Sequence, residues 1–128
     1  MFVDTNIIIN ILSEDYNPNI LALVEEKYKD GRLFISAVVL AEVIAFKGYD
    51  EIQVKLLTQT IKNTFKIVLP DIQIFELAAD IVRYQKQNTG KRFKLTDAII
   101  AATAIVNNSP LLTLDKEDFK NITNLTFI

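Results

Sequence analysis

Met1-Phe2-Val3-Asp4-Thr5-Asn6 opens with two apolar residues that run into a carboxylate. A helical pattern follows at once, with Ile7, Ile8, Ile9, Ile11 and Leu12. The stretch reads as a strand that ends on Asp4 and hands over directly to a helix. In an open α/β sheet, ligands bind beyond the carboxyl ends of the strands. Asp4 stands at such a position, but an Asp there also caps the next helix. Other acids along the chain have to decide between the two readings.

Working outward from this stretch, apolar strands are predicted at Met1–Asp4, Leu33–Ser36, Phe65–Leu69 and Leu111–Leu114, with a last short one at Leu125–Ile128. Helical spacing is predicted over Thr5–Ser13, from Asn19 to about Lys29, and over Ala37–Lys47, Glu51–Thr64, Asp71–Asn88 and Asp97–Val106. Thr96 is placed to cap the helix that starts at Asp97, and Lys116–Phe119 is a turn or short helix. Strands alternate with helices throughout, and the strands lack clean polar alternation. That pattern predicts an α/β fold whose parallel sheet of about four to five strands is covered on both faces. With 128 residues and no repeat or linker, residues 1–128 read as a single domain.

Composition narrows the chemistry. Half of the residues are hydrophobic, which excludes disorder as a class. The sequence has neither cysteine nor histidine. Thiolate nucleophiles, Ser-His-Asp triads and imidazole- or thiolate-held zinc are therefore excluded. A net charge of −2 gives no general affinity for nucleic acid, so any such contact has to be local. No apolar run is long enough to span a membrane and no signal segment is evident, so a cytoplasmic location is expected.

Four acids stand out. Asp4 and Asp115 directly follow strands. Glu42 and Asp97 sit in helices that are apolar nearly all round, which predicts that both helices are buried. Unpaired buried carboxylates are costly. Glu42 has only Val38, Val39, Ala45 and Phe46 at helical neighbour positions, and the cation nearest to Asp97 in sequence is Lys94. Asp4, Asp97 and Asp115 can be read singly as helix or turn caps, and Glu42 as half of an ion pair with Arg32 or Lys47. A shared partner explains all four together. If they converge at the sheet edge, they need a cation, and oxygen-only ligands suit Mg²⁺ or Mn²⁺. Such a cluster is equipment for metal-assisted phosphodiester hydrolysis.

In these stretches the chain resembles the PIN-domain nucleases, and among them the VapC-type toxins of toxin–antitoxin pairs. The resemblance rests on Phe2-Val3-Asp4-Thr5-Asn6, Ser36-Ala37-Val38-Val39-Leu40-Ala41-Glu42-Val43, Leu95-Thr96-Asp97-Ala98-Ile99-Ile100-Ala101-Ala102-Thr103-Ala104 and Leu112-Thr113-Leu114-Asp115-Lys116-Glu117-Asp118-Phe119. These occur in the family's order and span nearly the whole chain. The resemblance implies a three-layer α/β/α PIN domain and a magnesium- or manganese-dependent endoribonuclease. It also implies a cognate antitoxin and, often, a homodimer. It makes Asp4, Glu42, Asp97 and Asp115 the metal-binding and catalytic acids, with Thr113 in support. Asp118 is a fifth acid in this frame, or else a capping residue in a solvated turn.

The cations Lys86, Lys91, Arg92 and Lys94, with Phe93 among them, form a candidate RNA contact. They read equally as solvated charges at a helix end and in a loop. Without histidine, the expected route is attack by metal-activated water, leaving 5′-phosphate and 3′-hydroxyl ends. A dehalogenase-like phosphoaspartate enzyme is disfavoured because Asn6 stands where the second Asp is needed. A housekeeping RNA-processing nuclease and an inactive PIN scaffold that binds RNA or protein are the alternatives. The apolar stripe Ile74, Leu77, Ile81 and Val82 is either core or dimer surface.

Overall fold

Phe2 and Val3 form strand β1, and both are almost completely buried. Successive strand residues point to opposite faces of a sheet, so the sheet must be covered on both. The same holds for β4 (Leu111–Leu112), whose two residues are likewise buried. The structure, a computed structural model, describes residues 1–128.

The remaining elements follow the predicted alternation. Helix α1 spans Thr5–Leu12 and α2 Pro18–Lys29, before β2 at Phe34–Ser36. Helices α3 (Ala37–Ala45) and α4 (Glu51–Thr64) precede β3 at Lys66–Val68. Helices α5 (Ile72–Thr89) and α6 (Leu95–Val106) precede β4, and α7 (Lys116–Phe119) comes after it. The four strands form one parallel sheet in the order β3-β2-β1-β4, which gives the three-layer α/β/α architecture expected.

Register places Phe2 opposite Phe34 on one side and Leu111 on the other. Phe34 in turn lies opposite Lys66. The two phenyl rings stack with centroids 5.5 Å apart, and Lys66 Nζ sits 5.6 Å from the Phe34 centroid. This row of contacts crosses three strands and fixes their relative positions. All carboxyl ends therefore lie on one edge. The strand order reverses direction at β1, which puts the gap between β1 and β4 where α/β sheets receive ligands.

Helix α6 is the centre of the core. Seven consecutive residues, Ala98–Ala104, are buried. Helix α5 packs on it through Ile74, Ala78 and Ile81, while Leu77 and Val82 lie against the same core. The stripe that could have been a dimer surface is thus core.

Three expectations need correction. Helix α3 is not buried: only Val39 and Val43 are, while Ala41 and Ala45 face solvent. Alanine is apolar but small and a strong helix former, so an all-apolar helix can expose it at little cost. Thr96 does not cap α6. The helix starts earlier, at Leu95, after an N-cap position held by Lys94, which makes no side-chain cap, and Asp97 falls in its first turn. The Leu125–Ile128 stretch makes one bridge, Leu111 to Phe127, rather than a strand, because β4 is too short to template a longer ladder. No helix is long and apolar enough to cross a membrane.

Candidate active site

The backbone leaves β1 at Val3 and turns into α1 through Asp4, whose side chain is 4% exposed. Asp4 Oδ1 accepts from the Thr5 N–H at 2.7 Å, and Oδ2 accepts from Thr113 Oγ1 at 2.8 Å. Capping and site roles are therefore not exclusive, since one oxygen serves the helix and the other faces β4. Burial raises the Asp4 pKa above the usual carboxylate range. The Thr113 and Thr5 bonds pull it back, and the charges of Glu42 and Asp115 raise it further.

Glu42 comes from the middle of α3. Its Oε1 accepts from Thr5 Oγ1 at 2.7 Å. It has no salt bridge to Arg32 or Lys47; Arg32 is engaged 2.6 Å away by Asp30. The four ion pairs in the molecule involve none of the four singled-out acids.

Asp97 enters from the first turn of α6, where a carboxylate is favoured by the helix dipole. Its pKa is nevertheless raised to about 6. Burial is the main cause; Asp4, Glu42 and Asp115 add to it, and Lys94 opposes it. Asp115 follows β4 by way of Thr113 and is exposed. It makes no cap for α7. Its Oδ2 instead accepts from Asn6 Nδ2 at 3.0 Å.

Two residues that the sequence reading did not assign to the site tie it together. Thr5 links Asp4 to Glu42 through its N–H and its hydroxyl. Asn6 links α1 to the end of β4. Its Nδ2 reaches Asp115 and, at 3.4 Å, Thr113 Oγ1, while its Oδ1 accepts from the Leu114 N–H at 3.2 Å. Thr113 Oγ1 also accepts from the Asp115 N–H at 3.0 Å.

Asp4, Glu42, Asp97 and Asp115 all line one open cleft of about 520 Å³, together with Thr5, Asn6 and Lys94. The donor set fits a hard divalent cation, being all oxygen and short of positive charge. As they stand, no three of the carboxylates surround a common point at ligation distance. Mg²⁺ retains several waters and takes few carboxylates directly. The set therefore fits a hydrated ion better than a closed protein cage.

The other candidates lie beside the cleft. Lys91, Arg92 and Lys94 line a neighbouring cavity of about 460 Å³, which Asp118 and Lys120 also border. Asp97, Asp115 and Lys94 line both spaces. Asp118 is exposed and lies outside the acidic cleft, and Lys86, exposed on α5, lines neither space.

Solved structures of other proteins share this fold. Similar solved structures include VapBC2 from Rickettsia felis bound to a promoter DNA fragment, at 22% identity and a TM-score of 0.81, covering 99% of this chain and 96% of that one. VapBC-1 from nontypeable Haemophilus influenzae has 23% identity and a TM-score of 0.80, over 99% and 95% of the two chains. A toxin–antitoxin complex from Klebsiella pneumoniae has 26% identity and a TM-score of 0.75, over 98% and 94%. No curated protein matches the sequence. The PIN domain family model matches residues 1–125, and the chain belongs to the PIN domain family.

Proposed function

We propose that residues 1–128 form one PIN domain that acts as a divalent-metal-dependent endoribonuclease, the toxin of a VapBC-type toxin–antitoxin pair. Asp4, Glu42, Asp97 and Asp115 are its metal-binding and catalytic acids in this reading. The observation that carries it is the gathering of four carboxylates along one open cleft with a single cation, Lys94, among the lining residues. So many carboxylates in one small space cannot all ionise without added positive charge. Burial is the main reason that Asp97 titrates near 6, and the charges of Asp4, Glu42 and Asp115 add to it.

A bound Mg²⁺ or Mn²⁺ supplies Lewis acidity at the phosphoryl oxygens and a lowered pKa for the attacking water. The chain's own groups hold the acids in place. Thr113 and the Thr5 N–H fix the two oxygens of Asp4, Thr5 Oγ1 fixes Glu42, and Asn6 fixes Asp115. Lys94 lines the cleft where it can balance the charge of an incoming phosphate. Lys91 and Arg92 add further cations in the neighbouring space, which Asp97 and Asp115 also line. With no imidazole to serve a 2′-hydroxyl attack, the products expected are 5′-phosphate and 3′-hydroxyl ends. An antitoxin partner follows from the likeness to VapBC complexes, and a homodimer is part of the same proposal.

The test is cleavage of a mixed-sequence RNA with Mg²⁺ or Mn²⁺, with and without EDTA, followed by end-group analysis. Metal-dependent cuts with 5′-phosphate ends support the proposal. Cyclic 2′,3′-phosphate ends, or cutting undiminished by EDTA, would refute it. One observation favours a second reading as a non-catalytic RNA- or protein-binding scaffold: no three acids already stand at ligation distance. The absence of cutting with either ion decides for the scaffold.

A further inference from the structure

Helix α5 buries Ile74, Ala78, Ile81 and Gln85, the spacing with which a helix turns one face toward a core. Three of these are aliphatic. The fourth is an amide that is only 5% exposed. The Gln85 backbone carbonyl accepts from Thr89 Oγ1 at 2.6 Å, but its side-chain amide has no hydrogen-bond partner in the chain. No side-chain nitrogen or oxygen cut off from solvent lacks a partner, so the amide keeps some access to solvent. An apolar residue would suit this place in the stripe better, since burying an unpaired amide is disfavoured. A ligand that completes the amide's hydrogen bonds removes the anomaly.

Gln85 lines the 460 Å³ space beside the acidic cleft. Its other walls indicate the ligand. Lys91, Arg92 and Lys94 suit phosphates, while Lys120 is paired with Glu117 at 2.6 Å and Asp97, Asp115 and Asp118 line the same space. Phe93, half-buried, is held edge-on by Phe119 with centroids 5.6 Å apart and rings at 84°. It offers a fixed flat surface for a base. The Gln85 amide presents a donor beside an acceptor, the complement of a nucleobase edge. Gln85 also borders a smaller concavity of about 190 Å³, but no lysine or arginine lines that one.

We infer that Gln85 reads the base of a nucleotide lying next to the phosphate that enters the acidic cleft, and so sets the sequence preference of the RNA. The inference rests on the ribonuclease reading above and adds a specificity-determining residue to it. Gln85→Met keeps the length of the side chain but has no donor and only a weak acceptor, and Gln85→Leu is a second variant that neither donates nor accepts.

The test measures binding of labelled hexanucleotides of A, C, G and U by fluorescence anisotropy, with Ca²⁺ replacing Mn²⁺, alongside a separate Mn²⁺ cleavage assay. The unaltered chain is expected to prefer one base roughly tenfold over the weakest. Both variants should reduce that ratio to about twofold, keep the affinity for the weakest oligonucleotide, and melt no lower than the unaltered chain. An unchanged ratio, an equal loss for all four bases, or no preference in the unaltered chain overturns the role of Gln85. If the unaltered chain still cuts RNA, the ribonuclease reading survives that result. Melting of both variants well below the unaltered chain makes the amide structural and overturns the inference. A chain that neither binds nor cuts RNA refutes both readings.

Discussion

Helices α3 and α6 have nearly the same character in sequence. Both are apolar almost without interruption, and each carries one acid of the cleft. In the structure they differ. Helix α6 is enclosed over seven consecutive residues, whereas α3 buries only Val39 and Val43. Their acids are held differently as well. Asp97 sits at a helix start among desolvating neighbours and like charges, and titrates near 6. Glu42 projects from mid-helix and is held by one hydroxyl, that of Thr5. Similar hydropathy thus serves two ends: α6 is the wall on which the site is built, and α3 is a strut that delivers one side chain to it.

Substitutions can break this comparison, and the largest effect is expected at Asp97. Asp97→Asn should lower cleavage by at least about a hundredfold, the upper range for losing even a residue that only supports a metal ligand. It should also remove the rise in melting temperature that Mn²⁺ is expected to give the unaltered chain. A mutant that cuts normally in a single-turnover assay would remove Asp97 from the site.

Next in size is a packing contrast. Ala101→Leu in α6, where the alanine is fully buried, should cost about 2 kcal/mol by overpacking. Ala41→Leu on the exposed side of α3 should change stability by no more than about 0.5 kcal/mol. Urea denaturation checks both, and equal costs would mean that α3 is covered in solution.

Thr5→Val should follow, lowering kcat by about tenfold with little change in stability. It removes the hydroxyl that holds Glu42 but keeps the N–H that Asp4 accepts. If Glu42→Gln and Thr5→Val each lower kcat and the double variant is no worse than Glu42→Gln alone, the two act as one unit.

The smallest effect is on pH. Asp97 titrates near 6 when folded and at about 3.9 when unfolded. Between those values the folded chain holds a proton that the unfolded chain has lost, so stability falls as pH rises through that window. Without divalent ions, the protein should melt about 2–4 °C higher at pH 5 than at pH 7.5. Asp97→Asn should flatten that difference, as differential scanning fluorimetry can show.

The parts of the fold legible in the sequence were those governed by local periodicity. Phe2-Val3, Leu111-Leu112 and the helical stripe of α5 needed only their own spacing to be placed. Glu42 and Asp97 were conspicuous as acids in apolar helices, Glu42 with no cation at a helical neighbour position and Asp97 with only Lys94, and they do line one cleft with Asp4 and Asp115. What escaped depends on distant geometry. Thr5 and Asn6 look like ordinary first-turn residues until β4 arrives beside β1 and gives Asn6 its partners. The exposure of α3 was hidden because Ala41 and Ala45 count as apolar while presenting little surface. Gln85 was visible in principle, as an amide at the next turn of the stripe Ile74, Ala78 and Ile81, but only its burial gives that position weight.

The side-chain bonds that join β1 and α1 to the end of β4 link residues 107 to 109 positions apart. Contacts of such long sequence separation carry a large loop-closure entropy and form late, after local helices are in place. A chain still leaving the ribosome can therefore have α1 folded, and even Glu42 in its helix, while Asp4 has no Thr113 and Asn6 no Asp115. The topology itself delays the cleft until synthesis has passed residue 115, so whatever the cleft cuts is out of its reach until then.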